Sequence, residues 1–174
     1  FVESPIVTIS PDRKSIHIAI AIHEGKLYTL EGVRVAGNLM GLDKGINTLV
    51  RAGKNNSFLS GHADTTAKHI VNYLHNMGYA FSHVSSYPQL DRVKKNIHLI
   101  FYVDLNKRVY IRRIQISGNT RTRDEVIRRE LLQQESAWYN AQRIRSSRDR
   151  IDRLGYFSEV DIKVEPVLGL PDQI

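Results

Sequence analysis

The chain contains no cysteine, which at once excludes a disulfide framework, a thiolate metal site and a cysteine nucleophile. No stretch approaches the run of ~20 apolar residues that a bilayer-spanning helix needs. The sequence opens on strand-like residues, Phe1 to Ile9, with no basic leader and apolar core ahead of them. Motifs for chemistry are missing as well: there is no Gly-x-Ser-x-Gly, no Walker loop, no Gly-x-Gly-x-x-Gly and no His-Glu-x-x-His. His62, His69 and His75 share one helical region, but spacings of seven and six residues do not suit the i, i+4 pair of a zinc helix. Acid pairs at Asp124, Glu125 and at Asp149, Asp152 sit beside arginines on surface-type helix positions and read as solvated ion pairs. The expectation is a binding protein with no enzyme activity, no metal and no cofactor.

What is present is a repeat. Ile16-His-Ile-Ala-Ile-Ala-Ile-His-Glu-Gly-Lys26 superposes without gaps on Ile97-His-Leu-Ile-Phe-Tyr-Val-Asp-Leu-Asn-Lys107 at an offset of 81 residues. The same offset lays Val33-Arg-Val-Ala-Gly-Asn38 on Ile114-Gln-Ile-Ser-Gly-Asn119. Farther along, Asn76-Met-Gly-Tyr79 matches Arg153-Leu-Gly-Tyr156 at an offset of 77, so the second copy is four residues shorter in its helical part. That shorter offset sets Ile174 opposite Ile97, the start of a copy's last strand.

Each copy reads as β-α-α-β-β. Tyr28 to Ala36 and Val109 to Ser117 are alternating, β-branched segments closed by Gly-Asn, a strand followed by a tight turn at Gly37 or Asn38. Leu42, Ile46, Leu49 and Val50 mark one face of a first helix, and Thr122-Arg-Asp-Glu125 has the form of a capping box opening Val126, Ile127, Glu130 and Leu131 in the second copy. A second helix carries Ile70, Val71, Leu74 and Met77 in one copy, and Ile144, Ile151 and Leu154 in the other, with Asn140 as its N-cap. Gly78 and Gly155 sit where a left-handed residue stops a helix, with Tyr79 and Tyr156 placed to fold back. Hairpins follow: Phe81 to Leu90 with Asn96 to Val103 about a turn at Asp91 to Lys95, and Phe157 to Val167 with a partner that only begins at Ile174. Leu105 to Arg108 is too short for a flexible linker and predicts a restricted angle between copies.

The formal net charge is +7 and lies entirely in the second copy: from Lys107 to Arg153 there are 13 Lys or Arg against 6 Asp or Glu. Arg143, Arg145, Arg148, Arg150 and Arg153 crowd one helix, the first four forming a candidate basic surface, for nucleic acid, anionic lipid or an acidic protein partner on one reading and a solvated face on the other. Nucleic acid is the weaker reading, because no Gly-x-x-Gly loop joins the paired helices and no aromatic pair lies on adjacent strands. Glu135-Ser-Ala-Trp138-Tyr139 interrupts the helices with the only tryptophan; Trp138 reads as a cap packed over the helix pair, and Glu135 as an exposed loop carboxylate with little weight in folding.

The Gly-Asn turn, the Gly-Tyr helix stop and the closing hairpin resemble POTRA domains, polypeptide-transport-associated modules. Leu30-Glu-Gly-Val-Arg-Val-Ala-Gly-Asn38, Arg128-Arg-Glu-Leu131, Glu135-Ser-Ala-Trp138 and Arg153-Leu-Gly-Tyr-Phe157 are most similar to the fourth and fifth modules of the outer-membrane barrel assembly proteins. The resemblance implies an α+β fold of tandem modules, each with two helices on a three-stranded mixed sheet whose third strand lies between the other two. It divides the chain into residues 1–26, the C-terminal hairpin of a preceding module; 27–107, a complete module; and 108–174, a module lacking its last strand. It further implies a periplasmic part of an outer-membrane protein of a Gram-negative bacterium, carried on a β-barrel. Its partners would be unfolded outer-membrane protein precursors, a BamD-like lipoprotein and other subunits of the barrel assembly machinery, with no nucleic acid. Precursors would add to sheet edges at Val84, Ser86, Pro88, Val160 and Ile162, and the lipoprotein would dock at Glu135, Trp138 and Arg128.

Overall fold

The computed structural model describes residues 4–11, 14–22, 28–52 and 60–174. The start of the first strand-like segment at Phe1, the repeat match over His23 to Lys26 and the module boundary at Leu27 lie outside the described residues. β1 (Ile6–Ile9) and β2 (Ile16–Ala19) form an antiparallel hairpin with Ile6 opposite Ala19 and Ile9 opposite Ile16.

The next unit is an α+β module. β3 (Thr29–Ala36) leads into α1 (Asp43–Ala52) and α2 (Ser60–Asn76), and β4 (His83–Asp91) and β5 (Asn96–Asp104) close it. The sheet order is β3-β5-β4, with β5 parallel to β3 and antiparallel to β4. The two-residue period of β5 turns Ile97, Leu99, Phe101 and Val103 toward the helices, where Ile46, Val50, Ile70 and Leu74 meet them. Each such side chain contributes about 1.5–3 kcal/mol by leaving water, so this seam dominates the module's stability. Leu42, Leu49 and Val71 pack around it, while Met77 stays largely exposed. Asp91 sets the β4–β5 turn by accepting the N–H groups of Val93 and Lys94 at 2.9 and 3.0 Å. The turn after β3 uses Gly37 at φ +119°, where a Cβ would collide with the Val103 carbonyl oxygen.

The second module follows the same order with less ladder: the strand expected from Val109 to Ser117 is not formed, and there Tyr110 alone makes bridges, to Trp138 and Gln173. Tyr110 pairs in parallel with Gln173: the Tyr110 N–H donates to the Asp172 carbonyl at 3.0 Å, and the Ile174 N–H donates to the Tyr110 carbonyl at 3.1 Å. These contacts repeat, at offsets of 81 and 77, the Thr29–Asn96 pairing and the 3.0 Å bond from the Thr29 N–H to the Lys95 carbonyl. The expected strand from Phe157 to Val167 is not formed; Val167 makes only an isolated bridge to Leu170. Residues 172–174 pair with Tyr110 and Arg112, and residues 157–166 form no ladder. Tyr156 is 63% exposed and stands edge-on to Phe157 at 6.4 Å, whereas Tyr79 packs on the first core.

The helices of the second module are α3 (Asp124–Arg128) and α4 (Ala141–Asp152). The expected capping box does not form, because the N-cap is Arg123 and Thr122 lies one residue too early to reach the first turn; Glu130 and Leu131 fall beyond the helix. α4 starts as expected, with Asn140 Oδ1 accepting the Arg143 N–H at 2.9 Å. Gly78 and Gly155 both adopt positive φ, at +102° and +68°.

Between the modules the chain steps from one core to the other in four residues. Leu105 is buried in the first core and Val109, fully buried, in the second. The Val109 N–H donates to the Gly78 carbonyl at 2.9 Å, and Arg108 Nε donates to the Met77 carbonyl at 2.8 Å. The Asn76 carbonyl accepts Asn140 Nδ2 at 2.8 Å, and the Asn76 side-chain oxygen accepts the Gln142 N–H at 2.9 Å. Tyr139 stands edge-on to His75 at 6.2 Å. Burial, with the nearby Arg145 charge adding to it, holds the His75 pKa below the usual histidine value.

Gly78 therefore serves two modules. A Cβ there would lie 2.7 Å from Arg108 Nε and 2.8 Å from Arg108 Cγ, on a backbone at φ +102°. Gly78→Ala is expected to lower stability by roughly 1–3 kcal/mol in urea unfolding. A midpoint unchanged from wild type would show that neither the left-handed backbone nor the Arg108 contact matters.

Candidate docking surface and sheet edges

β4 is an edge strand, and the direction of its backbone groups follows from β5. The Lys95 carbonyl faces β3, so odd-numbered β5 residues bond toward β3 and even-numbered ones toward β4. The register of Ser85 with Tyr102 and Tyr87 with Ile100 then leaves Val84, Ser86, Pro88 and Leu90 pointing their backbone groups outward. Pro88 fits that phase because it has no N–H to give to β5. The Val84 side chain is buried against the helices, so only its backbone reaches the edge; Pro88 interrupts the row of donors after Ser86. Val160 and Ile162 present no strand edge, for the reason given above, and both are half-buried.

The extended segment from Val109 to Ile114 in the second module takes the place of a first strand and has a different outer edge. Residues 135–139 run along it: the Tyr139 N–H donates to the Val109 carbonyl at 3.0 Å, the Ile111 N–H to the Ala137 carbonyl at 2.9 Å, and the Ser136 N–H to the Ile111 carbonyl at 2.6 Å. Gln133 anchors this segment, donating to the Trp138 carbonyl at 3.1 Å and accepting the Asn140 N–H at 3.0 Å. Trp138 is therefore not a cap over the helix pair. Its backbone follows the strand, its ring lies edge-on to Tyr110 at 6.3 Å, and the Arg108 guanidinium sits 4.3 Å above it, leaving it 50% exposed.

Glu135 is exposed, as expected, and its carboxylate is also engaged. Its Oε1 accepts the Ile114 N–H at 2.8 Å and faces Arg128 Nη1 at 3.4 Å. The Ile114 N–H, followed by the Arg128 charge, holds its pKa below the usual glutamate range. Arg128 also donates to Asp124 at 3.1 Å and to the Ile114 carbonyl at 3.0 Å. Glu135, Arg128 and Trp138 thus lie along one strand edge. The sequence signal missed for this edge is Ala137-Trp138-Tyr139, a β-favouring run between two helices.

The four helical arginines do not form one patch. Ala141, Ile144, Ser147 and Ile151 make the inward stripe of α4, and Arg143 and Arg150, nearly two turns apart, flank it on the side away from Arg145 and Arg148. Arg150 pairs with Glu130 at 3.0 Å, and Arg145 reaches Asn72 of α2 at 3.5 Å. Among the described residues, no group of three His, Asp or Glu side chains is arranged to hold a metal ion, and no helix is long and apolar enough to cross a membrane.

A POTRA family model, described as surface antigen variable number repeat, matches residues 28–105 and 109–174. The chain is similar to the outer membrane protein assembly factor BamA of Buchnera aphidicola, 33% identical over 151 residues, and of Neisseria meningitidis, 29% identical over 169 residues. These alignments cover 87% and 97% of the chain but only 24% and 21% of the relatives' length. Among solved structures, the crystal structure of Haemophilus influenzae BamA POTRA3-5 superposes on 99% of the chain, and 68% of its own, with a TM-score of 0.89 at 28% identity. BamA from Haemophilus ducreyi lacking POTRA domains 1-3 matches 84% of the chain and 28% of its own, with a TM-score of 0.76 at 28% identity.

Because Glu135 holds backbone, Glu135→Lys is expected to lower the melting temperature as well as alter any interface. The sign with pH follows from the depressed pKa: the stabilisation is present above the usual glutamate range and is lost as pH falls through the lowered value. Melting curves for Glu135→Lys that coincide with wild type at neutral pH would return Glu135 to a purely surface role.

Proposed function

This chain belongs to the POTRA family, and we propose that it is the periplasmic, non-catalytic part of an outer-membrane-protein assembly factor of a Gram-negative bacterium, binding unfolded barrel precursors by strand addition. The relatives' shared name supplies the process, and the family model's two matched stretches support division into a hairpin over 1–26 and modules over 27–107 and 108–174. The observation that carries the binding mode is the outer edge of β4, where backbone groups at Val84 and Ser86 face away from β5. Main-chain hydrogen bonds read no side chains, so such an edge accepts many precursor sequences. The surface of Glu135, Arg128 and Trp138 docks a BamD-like lipoprotein: it combines a coupled ion pair with a half-exposed tryptophan, residue types that set orientation and affinity at interfaces. A barrel domain ties the modules to the outer membrane and brings the other assembly subunits to them.

Two proline substitutions test the strand-addition mode. Ser86→Pro removes an outward donor and is expected to leave the fold intact while weakening capture of an unfolded barrel precursor several-fold, in line with a lost bond of about 1 kcal/mol. Ser85→Pro removes a donor to β5 and is expected to unfold the module. Site-specific crosslinking from β4 to precursor, with circular dichroism as the folding control, reads both. Undiminished crosslinking in a folded Ser86→Pro protein would rule out this edge.

A further inference from the structure

The pair Arg128 and Glu135 does more than line a surface. In the first module the β3–β5 register shifts between Leu30 and Gly32, leaving one extra residue in β3. The 81-residue offset sets Arg112 in the place of the extra residue, while the N–H groups of Tyr110 and Arg112 turn inward to the Asp172 and Ile174 carbonyls at 3.0 and 2.7 Å. The same shift carried over from the first module resumes the alternation one residue late and makes Val109, Ile111, Ile114 and Ile116 the outward positions, and Ile114 accordingly meets Glu135, the neighbour of Ser136 on that side. The first two are paired with the backbone of residues 137–139 and 136. At Ile114 the covering backbone has ended, and side chains take over: Glu135 Oε1 accepts its N–H at 2.8 Å, and Arg128 Nη2 donates to its carbonyl at 3.0 Å. One acceptor and one donor, held to each other at 3.4 Å, stand where a neighbouring strand would put its own carbonyl and N–H.

We propose that Arg128 and Glu135 form a latch that closes the outer edge of this extended segment, and that the ligand admitted when the latch opens is an extended polypeptide strand. Exposed edges invite pairing, and charged side chains are a known way of blunting them. Here the charges do so by occupying the hydrogen-bonding groups rather than by projecting past them. Opening requires only that the carboxylate and the guanidinium leave Ile114, with the backbone of residues 136–139 still in place. The closure stands on these contacts alone; the ligand class rests on the strand-addition reading proposed above.

The test is amide hydrogen exchange by NMR on the full chain, wild type against Glu135→Ala, with a peptide of the β5 sequence, Asn96–Asp104, as the strand probe. Exchange at Ile114 should quicken by about tenfold or more in the variant while Ile111, bonded to backbone, stays within about twofold. The peptide should then slow exchange at Ile114 and Ile116 in the variant and leave both unchanged in wild type. Equal Ile114 exchange in the two proteins, or equal protection by peptide, overturns the latch. If Ile111 also loses protection, the segment itself has loosened, and Arg128→Ala replaces Glu135→Ala with the same readout and the same criteria. Peptide protection of Ser86 without protection of Ile114 in an open variant overturns the ligand half alone; protection at neither edge overturns it together with the strand-addition reading.

Discussion

The hydrogen bond from the Val109 N–H to the Gly78 carbonyl is the contact on which the arrangement of the two modules depends. Three residues, Asn106 to Arg108, separate the last core residue of one module from the first of the next, too few to act as a free chain. The left-handed backbone at Gly78 ends α2 and at the same step turns its carbonyl toward the incoming strand. Arg108 and Asn76 then tie the same helix end to the second module from two sides, through the Met77 carbonyl, the Trp138 ring and the start of α4. Val109 and Gly78 are buried, so parting their bond leaves each without a partner away from water, while the more exposed bonds of Arg108 and Asn76 add to it. The edge of β4 and the surface around Glu135 are therefore presented at a fixed relation to one another.

That relation matters because the two edges differ. β4 offers outward backbone groups at Val84 and Ser86 and is broken at Pro88, so its open stretch is short and the edge is blunted against uncontrolled pairing. The outer edge of the second module is covered first by backbone and then by Arg128 and Glu135. On the function proposed above, the protein must bind without demanding sequence and without polymerising, and one open edge beside one covered edge suits both needs.

Much of this was legible in the sequence where local chemistry decides the outcome. The alternation of Ile97, Leu99, Phe101 and Val103, the left-handed stops at Gly78 and Gly155, the cap at Asn140 and the turn at Gly37 each depend on one residue type in one conformation. The failures share a cause in tertiary pairing. Phe157 to Val167 has strand composition, but a strand exists only against a partner. Thr122 has a capping side chain, but where α3 starts decides whether it caps. Composition places Trp138 as a cap and Glu135 as an exposed carboxylate; Glu135 is exposed, and the run of residues 135–139 beside Val109 and Ile111, which no periodicity announces, sets Trp138 along that edge and brings Glu135 to the Ile114 N–H.

The most direct test of the fixed junction is a set of residual dipolar couplings for the full chain, measured on the amides of β3, β4 and β5 and separately on those of α4 and residues 109–114. One alignment tensor, equal in magnitude and direction, should fit both sets. Two sets that each fit well alone but require tensors of different magnitude would show that the modules reorient freely, contradicting a junction held by Gly78, Arg108 and Asn76.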